Sequence, residues 1–472
     1  MKRSLLIVIV LIVVAVLGLP VLTGMMTQAR IEERVASLND NPVIVVDVAS
    51  YDRGWLAATS RIELGINPQY AAQFGAGTLP AGTMLDQRLP VVLEVKHGPV
   101  IFDDGVQIAL SSVVATLDPA SPLSVLARDQ LGMPYIFQLR GHGPVTGGFE
   151  FEADVPPVDY GDGANELSFS GLRVDGTLRG NRVTSHGNID TFDFTSDSAT
   201  AVVEQVRFDM DSEYEVGGFG IGNGELSVAR VVVTSPFAGT EPLFTAQGFR
   251  VGGESALDDA GRMRIGVTYG AESVVAGTSF NLADAELGIT VADLDAEAVR
   301  DYYETIQLVM GQQPAASPDE VLAALVPVFE RLLEGGPNLM LDPIRFAMNG
   351  EPFSAKILVD VDPAALPPAA TRNYQDPSLW IAAATVTAEA QVSKVLAQDL
   401  AQQAMRMQLA GSGDPSLTED DINAQAEAQV GLMLVQLTGM GMLQDGGDSY
   451  TTSARFASGT LTVNGTPIPL GF

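Results

Sequence analysis

The chain carries three histidines, His97, His142 and His186, and each is followed by glycine. Three imidazoles are enough nitrogen to hold a zinc ion. Metal ligands of one site, however, come with carboxylate partners at helical or hairpin spacing, and none accompanies these residues. The His-Gly steps read instead as strand ends running into turns, with glycine as punctuation. Oxygen-ligand chemistry has two candidates: Asp209, Asp211 and Glu213, and Asp293, Asp295 and Glu297. Neither set has the long loop with a central glycine that a calcium site of this spacing uses. The first reads as the wet face of a strand, the second as acidic residues at the positive start of a helix. Residues 217–224 are rich in glycine but depart from G-x-G-x-x-G and lack the strand-to-helix setting that seats a phosphate, so they read as a flexible turn. No G-x-S-x-G, H-E-x-x-H or Walker pattern occurs. The expectation is a protein that is not an enzyme, with no catalytic residue, no metal and no cofactor.

The most distinctive cluster is Tyr51, Asp52, Arg53, Gly54 and Trp55. It reads as a turn whose tryptophan docks under the body while Arg53 pairs with a carboxylate, contact with a partner being the alternative.

These residues need elements to hold them, and the elements begin with an anchor. Lys2 and Arg3 precede an apolar run over 5–22, interrupted only by Gly18 and Pro20. At roughly 1.5 Å per residue the run spans roughly 27 Å, enough for a bilayer core. Residues 1–24 read as an uncleaved transmembrane anchor, with the basic pair cytoplasmic and the body across the membrane. A cleaved signal peptide is the competing reading, but only a poor cleavage match lies near Thr23 or Gly24. The composition agrees with export. There are no cysteines, and 26 basic residues face 58 acidic ones for a net charge of −32. That balance argues against nucleic acid, whose phosphates call for Lys and Arg, and against docking on anionic headgroups by charge alone. A length of 472 residues calls for two or more lobes.

A stalk over 25–42 is expected to lead into an antiparallel β body over 43–290. Phe149, Phe151, Ala153 and Val155 alternate with polar neighbours, as do Met263, Ile265, Val267 and Tyr269. A period of two with one apolar face predicts antiparallel strands rather than a doubly wound parallel sheet. Turn signals such as Asp103-Asp104-Gly105 and Arg179-Gly180-Asn181 separate the segments. An α+β lobe over 291–472 is predicted to hold helices near 293–311, 317–334, 393–410 and 419–440, with 379–392 extended and a C-terminal hairpin. Ser317 and Thr418 are the expected caps, and Pro327 an expected kink. The last helix has an apolar stripe of Ile422, Ala426, Val430, Met433, Leu434 and Leu437. Met405, Met407, Met433 and Leu437 form a candidate apolar groove, since thioethers repack cheaply around variable acyl chains. A weak echo links 96–100 with 141–145, each reading His-Gly-Pro-Val after one residue.

The chain resembles the YdgA-like family of Gram-negative envelope proteins. The resemblance rests on the anchor and stalk, on Tyr51, Arg53, Gly54 and Trp55, on His97, Gly98 and Pro99, on Gly335-Gly336-Pro337, and on the hairpin within 443–465. It implies an inner-membrane setting, single-pass, with the body in the periplasm, and it implies no catalytic residues. His142, Gly143 and Pro144 have no place in that pattern. The fold expected is therefore β-rich α+β, a long curved antiparallel sheet with helical insertions behind one N-terminal transmembrane helix. Two roles stay open: binding or transfer of lipids or other apolar envelope molecules, and a scaffold that contacts envelope proteins or itself.

Overall fold

The computed structural model describes residues 25, 27–29, 31–33, 35–36, 39, 44–66, 88–98, 101–102, 106–107, 109–144, 147–214, 220–237, 241–277, 280–312, 318–369, 372, 374, 376–411 and 418–469. The chain is β-rich, a long open antiparallel sheet with a few helices. It divides into two compact units, Met1–Leu226 with Arg300–Val326, and Ser227–Val299 with Pro327–Phe472. The expected anchor over 1–24 lies outside the described residues. Among those described, no helix is long and apolar enough to cross a membrane.

The first unit is a meander in which sequence neighbours are sheet neighbours. Ile44–Arg53 pairs with Ala57–Ile66, then follow Leu89–His97, Ala109–Leu117, Gln138–Pro144, Phe149–Val155, Leu172–Arg179, Arg182–Ser196 and Thr200–Tyr214, each antiparallel to the last. Two detours interrupt the series: Ile101–Phe102 and Val106–Gln107 pair with each other outside the sheet, and a second hairpin returns to it. Val158–Gly161 and Asn165–Phe169 form a hairpin that returns against the far half of Arg182–Ser196. Gly171 makes the bend, with φ of 97°. A Cβ there would sit 2.8 Å from the Val155 carbonyl oxygen, so only glycine fits.

The alternation read from the sequence has a second use. Gly141 and Gly187 lie under aromatic rings, and a Cβ on either would come within 2.2 Å of Phe149 or 2.1 Å of Phe208. A glycine leaves a slot that a ring fills, which pins the register of the pair.

The core of this unit is a series of small clusters. Ile31 and Val35, both helical, pack on Val46 and Ile62. Val91, Ala115 and Leu117 form a second cluster, and Ala127, Met133 and Val158 a third. Among the described residues Ile44–Arg53 pairs on one side only, and the Asn39 side chain bonds part of its other edge. It donates to the Val46 carbonyl and accepts from the Val46 N–H, both at 2.7 Å. A helix the sequence reading missed, Pro122–Leu131, supplies Ala127. Its signals were present: Ser121 caps it by accepting from the Ser124 N–H, Pro122 starts it, and Gly132 ends it in the left-handed region.

The second unit repeats the meander. Phe244–Leu257, Arg262–Ala276, Phe280–Asp295, Asn338–Met348, Glu351–Val361, Ala384–Ser393 and Ser449–Ala457 pair in that order, and Thr460–Val463 and Thr466–Ile468 close it. Helices Lys394–Gly411 and Glu419–Gly439 fall between Ala384–Ser393 and Ser449–Ala457. Helices Ala296–Gln312 and Pro318–Glu334 follow Phe280–Asp295 in the chain, with Pro327 inside the second. The expected cap Ser317 lies outside the described residues.

Three readings need correction. Segment 379–392 is not extended throughout: Asp376 caps a short helix, Pro377–Ala383, before the strand begins at Ala384. The glycine-rich stretch is not a turn from Gly220 onward, because Gly220–Thr234 is a strand. Of the acidic set read at a helix start, Asp293 alone departs: it lies in strand Phe280–Asp295, whereas the Asp295 carboxylate accepts from the Ala298 N–H at 2.7 Å as helix Ala296–Gln312 starts and Glu297 sits in the first turn. Asp293 pairs instead with Arg262 at 2.6 Å and accepts from the Asn338 amide at 2.7 Å.

Candidate functional site

The residues of Tyr51-Asp-Arg-Gly-Trp55 and of His97-Gly98 come together at one corner of the first unit. Arg53 faces Ala58, which faces Val95, while Tyr51 faces Ser60, which faces Leu93. The His97 N–H donates to the Leu56 carbonyl at 2.8 Å, and His97 faces Ser111 across the next pairing. Residues directly opposed, and residues two apart on a strand, project to the same side of a sheet. Tyr51, Arg53, Ser60, Val95, His97 and Ser111 therefore share a face. Gly54 makes the turn between the first two strands. Its N–H donates to the Ala57 carbonyl at 2.7 Å, and a Cβ there would lie 2.8 Å from that oxygen. Gly98 has φ of 138°, which keeps the chain turning away after the histidine. Pro99 lies outside the described residues.

The corner is polar, buried and incompletely bonded. His97 is 2% exposed, and neither ring nitrogen finds a partner among the described residues; the same holds for the Tyr51 hydroxyl. Burial holds the His97 imidazole below its ordinary pKa, and the positive charge of Arg53 pushes the same way. Burial raises the Tyr51 phenol, Arg53 lowers it, and Glu32 raises it, for a net increase. The face thus presents a neutral imidazole and a neutral phenol within the field of one guanidinium. It can donate hydrogen bonds to an anion or accept them from a polar group.

The tryptophan corrects its expected role. Trp55 is 48% exposed and Leu56 is 50% exposed, so the turn points outward rather than docking under the body. Among the described residues no ion pair of Arg53 is found either, against the expected carboxylate.

The other histidines are separate from this corner. His142 lies inside Gln138–Pro144 and faces Ser112, which faces Lys96. That register is one residue off the His97 row, so the two His-Gly-Pro copies project to opposite faces. His142 Nε2 lies 3.2 Å from Glu150. His186 sits in the middle of Arg182–Ser196, not at a turn, and its Nδ1 bonds Asp209 across the pair. That bond raises the His186 pKa. Arg182 donates to both oxygens of Asp211, at 2.7 and 2.6 Å. The acidic row is thus a solvated strand face laced with cross-strand pairs. Among the described residues no three metal-ligating side chains converge.

The candidate groove residues lie on two packed helices of the second unit. Lys394–Gly411 packs on Glu419–Gly439 and on the strands Glu351–Val361, Ala384–Ser393 and Ser449–Ala457. Thr418 and Asp421 close the second helix in a capping box, each side chain taking the other's backbone N–H. Ala426 and Val430 are fully buried, at 0% exposed. Met405 and Leu437 are half-buried. Met407 is 66% exposed, Leu432 72%, Val435 73% and Met433 37%. The second half of this helix is apolar on its buried side and on its open side. Met433 keeps to the stripe that the sequence spacing assigned it, three residues after Val430 and seven after Ala426, but at its edge, where it stays 37% exposed. An uncovered apolar strip exists in the first unit too. Phe192 faces Phe169 and Phe194 faces Leu167, with Phe192 and Phe194 at 38% and 39% exposed.

No curated protein and no solved structure matches the chain. The family model described as "Bacterial protein of unknown function (DUF945)" matches residues 1–471. That match takes in the corner and the helix pair alike, and the chain belongs to the DUF945 family of bacterial proteins.

Proposed function

We propose that this protein is tethered in the bacterial inner membrane by residues 1–24 and holds apolar envelope molecules, lipids foremost, on a periplasmic body. The observation that carries the reading is the helix Glu419–Gly439. One side of it buries Val430 completely, while Leu432 and Val435 on the other side stay more than seven-tenths exposed. A helix that is apolar all round calls for two covers. The strands and helix Lys394–Gly411 supply one, and an acyl chain suits the other, because the pair of helices also exposes Met407 and Met433, whose side chains adapt to chains of different shape. The uncovered face at Phe192 and Phe194 offers further apolar surface of the same kind. A scaffold is the second reading, in which a protein partner or a second copy covers the same side chains.

Lipid mass spectrometry on the purified full-length protein separates the two. A stoichiometric lipid that is lost in Leu432→Ser with Val435→Ser, while the fold persists by circular dichroism, supports binding. No lipid in either protein leaves the scaffold reading. The tether has its own test: alkaline phosphatase fused after residue 60 is expected to be active in a bacterial host, and the mature protein to retain Met1.

A further inference from the structure

We infer that the corner of Tyr51, Arg53 and His97 seats the anionic head of an amphiphile, a carboxylate or a phosphate, whose acyl chain lies on the apolar face of the sheet that begins there. The site belongs to the first unit, whereas helix Glu419–Gly439 belongs to the second, so it stands whether or not that helix carries a lipid.

The head is placed by what the corner leaves unbonded. Buried polar groups of native proteins are bonded to protein, to water or to a bound group, and any left over call for an occupant. Both nitrogens of His97, at 2% exposed, and the Tyr51 hydroxyl are left over here among the described residues. Arg53 shares their face, is exposed, and makes no ion pair among the described residues. A neutral imidazole, a phenol and a guanidinium can all donate, and together they carry one positive charge. A carboxylate or phosphate matches that set, because it only accepts and it brings the opposite charge. Asp52, between Tyr51 and Arg53 in the strand, falls on the other face. Glu32, whose charge also reaches Tyr51, is engaged by the Gln28 amide at 2.9 Å.

The tail is placed by the register. Val95 faces Val113, Val113 faces Gly141, and Gly141 faces Phe151. The next row, from Leu93 through Ala115 and Leu139 to Ala153, is apolar as well. The charged residues of these strands, such as Glu94, Arg140 and Glu152, alternate onto the other face. One face is therefore free of charged residues from the corner to Phe149–Val155, and Val113, Leu139 and Phe151 on it are only half-buried. Strands lie about 4.8 Å apart, which puts Phe149–Val155 about 14 Å from Leu89–His97 and Leu172–Arg179 about 19 Å from it. One acyl chain fills about half of a bilayer core of about 30 Å, so a chain headed at the corner ends over these two strands. A peptide suits the face less well. The sheet's own N–H and C=O groups are paired within it, and a peptide needs an open edge where an acyl chain needs none.

The probe is a fatty acid with a diazirine at the end of its chain, compared with the matching uncharged alcohol. Each is added to full-length protein in a neutral detergent and cross-linked by light, and mass spectrometry of peptides locates the label. The acid is expected on Phe149–Val155 and Leu172–Arg179 at about ten times the yield of the alcohol. Arg53→Gln is expected to lower the acid's yield there by about the same factor, with the fold unchanged by circular dichroism, and Arg53→Lys to restore part of it. Equal label from acid and alcohol, or label indifferent to Arg53→Gln, overturns the head site. Label on helix Glu419–Gly439 alone overturns the site and leaves the lipid reading of that helix standing, and label on the two strands alone does the reverse. Acetate that protects Leu89–His97 from hydrogen exchange, with no acid label on the strands, means a free anion and overturns the amphiphile.

Discussion

Replacing His97 with leucine tests the corner most sharply. In the native fold the imidazole is buried, at 2% exposed, with neither nitrogen bonded among the described residues. An unmet buried polar group costs about 1–3 kcal/mol, and a leucine of similar volume carries no such cost. The second part of the effect depends on pH. The folded-state pKa of His97 is depressed, by burial first and by Arg53 second. As pH falls below about 6.5, the unfolded chain takes up a proton that the folded chain refuses, so native stability falls. The slope is at most about 1.4 kcal/mol per pH unit for one proton, and it flattens once the pH drops below the folded-state value. His97→Leu removes that slope. His142 and His186 are present in both proteins and cancel. Because the chain forms two units, the readout must be local. Hydrogen exchange followed by mass spectrometry on peptides covering Leu89–His97, at pH 7.5 and 5.5, supplies it. The leucine variant is expected to match or exceed wild-type protection at pH 7.5 and to gain on it at pH 5.5. A variant less protected at both values, or a difference that does not change with pH, refutes the account of a buried neutral imidazole.

Three further outcomes follow from particular contacts. Gly187→Ala forces a methyl against Phe208, where the ideal distance is 2.1 Å, and is expected to cost about 1–3 kcal/mol, whereas Gly252→Ala, with open space around it, should stay within about 0.5 kcal/mol in thermal unfolding. Thr418→Ala removes one half of the capping box and should lower the stability of helix Glu419–Gly439 by about 1 kcal/mol, read as faster exchange in its first turn. His186 should titrate by NMR above its ordinary value because Asp209 holds its proton; the support this pair lends is present below about pH 6.5 and is lost as pH rises through the folded value, and Asp209→Asn should return the titration toward normal.

The amino-acid sequence by itself determined the class of the fold. Alternation at Phe149–Val155 or Met263–Tyr269 is a local signal, because a strand's two faces follow from the backbone geometry of one segment. The helix at Glu419–Gly439 was legible for the same reason, through Thr418 and a repeating apolar pattern. The candidate motif was legible as two separate runs, Tyr51–Trp55 and His97–Pro99. Tertiary structure alone decided what joins them. Pairing of three strands sets His97 in the row beyond Arg53, pairing of two more turns His142 to the opposite face, and a register is a relation between segments that neither segment encodes alone. Exposure was decided in the same way. Trp55 was read as docking under the body, yet it is 48% exposed, and Leu432 and Val435 stand open on a helix whose other side is buried. Which apolar side is covered depends on what packs there, and the packing surface comes from elsewhere in the chain.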